Sequence, residues 1–108
     1  KNINCFFYYH AKYTNSHGVD YTKLLYHNEN KAFTDKNRDL FKLLFSIIQK
    51  GQDREELINT ITAEKITDYL LISARGLVFD WCLHDGSYDL ISAMTDYMKL
   101  LVPTFQRN

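Results

Sequence analysis

The stretch from Thr62 to Phe105 constrains this chain more than any other. It reads as a long helix, a short turn at His84-Asp85-Gly86, and a second long helix. Helical spacing places Ile66, Leu70, Ala74, Leu77, Val78 and Trp81 on one stripe of the first helix. Tyr69, Ile72, Gly76, Phe79 and Leu83 fall on a second stripe. A helix apolar on two faces needs cover on two sides. The chain's own core supplies one cover. The other calls for a partner, and a second copy of the chain is the simplest one. In the last helix, Leu90, Ile91, Met94, Tyr97, Met98, Leu101, Val102 and Phe105 step by three and four.

Composition narrows the class. A chain of 108 residues, 45% of them hydrophobic, is one small domain able to build a core. Lys plus Arg equals Asp plus Glu at 13 each, so the chain is a poor candidate for gripping a phosphate backbone by itself. Cys5 and Cys82 lack the spacing of a disulfide framework. Two thiols in a domain of this size point to a reducing compartment, and the expected location is cytoplasmic. No apolar run is long enough to span a bilayer. The chain starts at Lys1 and runs straight into aromatic residues without a cap, so its N-terminus reads as cut from a longer protein.

Helices are expected nearly throughout, and the fold class is all-α. Ile3 to Tyr13 reads as the end of a helix, and Asn15-Ser16-His17-Gly18 as a break. Val19 to Tyr26 forms a short helix with Leu24, Leu25 and Tyr26 inward, and residues 28–31 a polar turn. Asp35 to Lys50 is a helix capped by Thr34 or Asp35 and stopped by Gly51. Arg54 to Ile58 makes at most two turns. Thr62 caps the next helix and Ser87 the last, whose end Pro103 kinks or closes. Asp80 and Asp85 are expected to pair with Arg75 at the surface.

The order of these elements resembles a known family. "DLFKLLFSIIQKGQ", a short spacer, "TAEKITDYLLISARGLVFDWCLHDG" and then "SYDLISAMTDYMKLLVPTF" is similar to the C-terminal regulatory domain of TetR-type transcriptional repressors. The combination carries the likeness: Gln49-Lys50-Gly51-Gln52 closing an apolar helix, Gly76 ahead of Asp80-Trp81, then Gly86 and Tyr88-Asp89-Leu90. The upstream "GVDYTKLLYHNENKAFTDKNRDLF" looks like the preceding helices of one branch. The resemblance implies a homodimer whose last two long helices pair with their copies as a four-helix bundle. It also implies a small-molecule pocket in the helical core. The DNA-reading helix-turn-helix would lie in N-terminal residues outside this chain, and this part alone is not expected to bind DNA.

Expected interface residues are Gly76, Phe79, Leu83, Leu90, Met94, Tyr97 and Met98; Trp81 is expected to anchor the core. The aromatic band of Phe6, Phe7, Tyr8, Tyr9 and Tyr13 suits an amphipathic ligand, because tyrosine joins an apolar body to a polar tip. Tyr9, Tyr13, Phe41, Phe45 and Tyr69 are therefore the expected ligand residues. The competing reading is that they fill the core or face a missing domain. His10, His17, His27 and His84 lack metal-ligand spacing, and no metal or cofactor is expected. Cys82 and His84, two apart on a helix, do not face each other as nucleophile and base. No enzyme is expected. The alternative to a ligand-sensing dimer is a helical assembly domain without a ligand.

Overall fold

Gly18, at φ +88°, turns the chain between its first two helices; a residue with a Cβ is strained there. The computed structural model describes residues 2–27 and 38–107. Helix α1 spans Asn2–His17 and α2 spans Val19–His27. Helix α3 covers Asp39–Asp53, α4 covers Ala63–Leu83 and α5 covers Leu90–Leu101, followed by a 3-10 turn at Val102–Phe105. The described residues hold these helices and no strand, only an isolated bridge between Leu57 and Gln106. The chain is all-α. The expected turn at 28–31 and the cap at Thr34 or Asp35 lie outside the described residues.

Helix α5 packs most closely on α1, and α4 packs on α3 and α2. This arrangement follows from where the apolar residues fall. Ile3, Phe6, Phe7 and Ala11 form one face of α1; Leu90, Met94 and Met98 form the inner face of α5; all seven are buried. Ile66, Leu70, Ala74, Val78 and Trp81 turn inward from α4. Burying each large side chain contributes roughly 1.5–3 kcal/mol. Trp81 is a core residue, and its Nε1 donates to the Tyr88 carbonyl at 3.0 Å.

Several local expectations are corrected. Gly51 does not end α3, which runs on to Asp53; Gly51 is buried inside the helix, where Leu57 packs against its Cα. Residues 54–58, expected to make at most two turns, form a single turn that leads into the bridge at Leu57. They are held by the C-terminal segment, since Ile58 N donates to Phe105 O and Arg107 N to Glu56 O, each at 2.9 Å. Ser87 does not cap α5; Asp89 does, its side chain accepting from the N–H groups of Ile91 and Ser92. Leu24 is exposed rather than inward. Asp85 pairs with Lys23, and Asp80 accepts from Tyr88, so neither shows the expected Arg75 bridge. Thr62 does cap α4, accepting from Lys65 N at 3.2 Å.

Candidate functional site

Helix α1 has a second face besides its core face. Asn2, Phe6, Tyr9, His10, Tyr13 and His17 recur at helical spacing along one wall of a cavity of about 740 Å³. Leu25 and Tyr26 of α2, Leu43 and Ile47 of α3, and Leu71 and Val78 of α4 line the other sides, and the cavity opens to solvent where Tyr9, Tyr13 and Leu43 are exposed. The volume lies within the usual range for small-molecule sites, which is roughly 300–1,000 Å³. The wall surface is mostly apolar, and among the polar side chains that reach it are His10, Tyr26, Arg38 and Arg75.

The polar groups are shaped by burial. His10 lies against the rings of Phe6 and Phe7, with centroids 6.3 Å away in each case. Burial, and then the nearby Arg38 charge, lower its pKa to about 4, so the ring is neutral near pH 7. Its Nδ1 is buried with no hydrogen-bond partner among the described residues. Burial raises the Tyr26 phenol to about 12, with the charges of Arg75 and Arg38 pulling the other way. Tyr26 therefore stays a neutral donor, and it reaches the Arg75 carbonyl at 3.5 Å. At another part of the wall, the rings of Tyr13, His17 and Tyr21 contact one another in sequence across the α1–α2 turn, the first pair edge to face and the second tilted, with centroids 4.3 and 5.1 Å apart.

Of the expected ligand residues, Tyr9 and Tyr13 line this cavity. Phe41, Phe45 and Tyr69 do not. Phe41 is buried and Phe45 packs on the core, the two rings stacking at 6.3 Å; Tyr69 stacks on Phe105 at 6.4 Å. The sequence reading missed His10, Tyr26, Arg38 and Arg75. His10 was legible as the i+4 neighbour of Phe6 on one face of α1. The arginines were not, because nothing local says which surface a guanidinium will meet.

The interface expectations divide in the same way. Gly76 is exposed, as are Ile72, Phe79 and Leu83 at 55, 50 and 67%. Tyr97 is exposed as well. Together with Tyr69, the α4 residues form an outward stripe with alternating spacings of three and four. Leu90, Met94 and Met98 are core residues within the chain, on the side of α5 that packs on α1.

Other chemistry finds little support. Among the described residues no three His, Cys, Asp or Glu side chains converge as metal ligands. Cys82 is buried, and burial raises its thiol pKa, while the His84 ring contacts the Asp80 carbonyl at 2.9 Å. No described helix is long and apolar enough to cross a membrane. No family model matches the chain, and neither a curated protein nor a solved structure matches it.

Proposed function

We propose that this chain is the effector-binding and dimerising domain of a TetR-type transcriptional regulator. One observation carries the reading: α4 is shared by two sites. Leu71, Arg75 and Val78 on its inner side line the cavity, while Ile72, Gly76, Phe79 and Leu83 form an exposed apolar stripe on its outer side. Spacings of three and four along the stripe suit helix-to-helix packing with a copy of itself, and Gly76, with open space around it, admits close approach. A ligand that fits the cavity in one placement of α4 better than another would bias the geometry of the pair. Differential affinity of that kind is what couples an effector to a distant DNA-binding part.

The test is mass in solution. Sedimentation of the chain at micromolar concentration is expected to give twice the chain mass. The exposed pair Ile72→Arg and Phe79→Arg is expected to give a folded monomer with unchanged helix content. A monomeric parent overturns the proposal. A dimer that survives both arginines, with no small molecule raising its Tm, favours an assembly domain that pairs through another surface.

A further inference from the structure

Among the described residues that line the cavity, the permanent charges are of one sign, Arg38 and Arg75. None of the described lining residues is Asp or Glu, and His10, also in the lining, is neutral near pH 7. Tyr26, Arg38, Arg75 and His10 all line the cavity, and the Tyr26 hydroxyl donates to the Arg75 carbonyl. Both guanidiniums have further interactions of their own. Each nevertheless carries five N–H donors, more than one partner uses. Tyr26 adds a neutral hydroxyl beside them. Most of the remaining described wall is apolar, with Phe6, Leu25, Leu43, Ile47, Leu71 and Val78 prominent, while Asn2, Thr14, Thr22 and the tyrosines Tyr9, Tyr13 and Tyr21 add uncharged polar groups.

We infer that the cavity takes an amphipathic monoanion, a carboxylate or similar acid with an apolar chain or ring body, its head held by Arg38, Arg75 and Tyr26. This rests on the ligand-sensing reading above and names the chemistry of its effector. The apolar body gains from leaving water, and any molecule with such a body shares that gain. The head decides between molecules. A carboxylate facing guanidiniums in a partly dry site makes charge-assisted hydrogen bonds, which are short and strong. An alcohol makes only ordinary ones. An ammonium head meets like charge and loses its hydration without compensation.

The experiment uses three probes of one body and three heads: decanoate, decanol and decylammonium. Binding to the chain at pH 7.4 is measured by titration calorimetry, with Tm as a second readout. Decanoate is expected to bind at least about tenfold more tightly than decanol, with decylammonium weakest. Arg38→Gln with Arg75→Gln removes that preference and leaves decanol binding in place; Arg38→Gln alone reduces it, and serves if the double variant does not fold. Leu71→Trp, filling the cavity, abolishes binding of all three. Equal binding of decanoate and decanol overturns the anion inference while leaving a ligand cavity. Binding of none, or binding that survives Leu71→Trp, overturns the ligand-sensing reading together with it.

Discussion

Two glycines show how little residue type says without its surroundings. A Cβ at Gly51 would lie 2.7 Å from Leu57 Cδ1 and 2.9 Å from Cγ, whereas one at Gly76 meets nothing within 4 Å. Replacing a helical Gly by Ala gains about 1 kcal/mol of helix propensity. At Gly51 overpacking of roughly 1–3 kcal/mol outweighs that gain, because the buried Leu57 is tied back through its N–H to the Gly51 carbonyl. Gly51→Ala is thus expected to destabilise the chain in urea unfolding, and to be neutral or better in a Leu57→Ala background. Gly76→Ala is expected to stabilise an isolated chain by about 1 kcal/mol. In a pair packed tightly at Gly76, the new methyl meets the partner and the gain disappears. His10 gives a pH dependence. Its folded pKa is near 4 and its ordinary value 6.5, so between these the unfolded chain holds the extra proton. Stability therefore falls as pH drops from about 6.5 towards 4, by up to roughly 3 kcal/mol from this group. His10→Gln should flatten that part of the stability–pH curve.

At the scale of elements, the helices were legible and their ends only in part. Thr62 precedes an apolar-periodic run and caps it, so local chemistry sufficed. The start of α5 offers two candidate caps, Ser87 and Asp89. Tertiary contacts choose between them. Asp85 and Gly86 both adopt positive φ, at 54° and 69°, and Gly86 N–H closes back on Trp81 O at 2.9 Å. Tyr88 is then pinned, its carbonyl accepting from Trp81 and its hydroxyl donating to Asp80 at 3.0 Å. Helix α5 can begin only after it. Asp89→Ala is expected to lower Tm by several degrees through loss of two backbone partners, while Ser87→Ala leaves Tm unchanged. Circular dichroism melts of the two variants decide this.

For the whole molecule, α5 is the helix whose role changed most. Its stripe was expected to look outward to a partner, yet α1 covers it. Met98→Ala should consequently cost about 2–5 kcal/mol of unfolding free energy, the range for emptying a core site. Leu83→Ala, on the exposed stripe of α4, should stay within about 0.5 kcal/mol in a monomeric variant. Denaturant titrations at low protein concentration separate the two. The cavity likewise belongs to the assembled molecule: four helices contribute to it, and Tyr9 and Tyr13 find no Phe41, Phe45 or Tyr69 opposite them.

The order of hydrophobic and polar residues along the chain determined that it is all-α, roughly where each described helix lies, and that α4 is apolar on two sides. Those properties depend on neighbours within a turn or two, which any reader of the sequence can see. Which apolar face meets which was decided only in three dimensions. Leu90, Met94 and Met98 on α5 are as apolar as Ile72 and Phe79 on α4, and their periodicity is alike. Their fates differ because α1, distant in sequence, packs on α5 and leaves the outer side of α4 bare. Burial free energy depends on the area removed from water, whichever partner removes it, so pattern alone could not assign the cover.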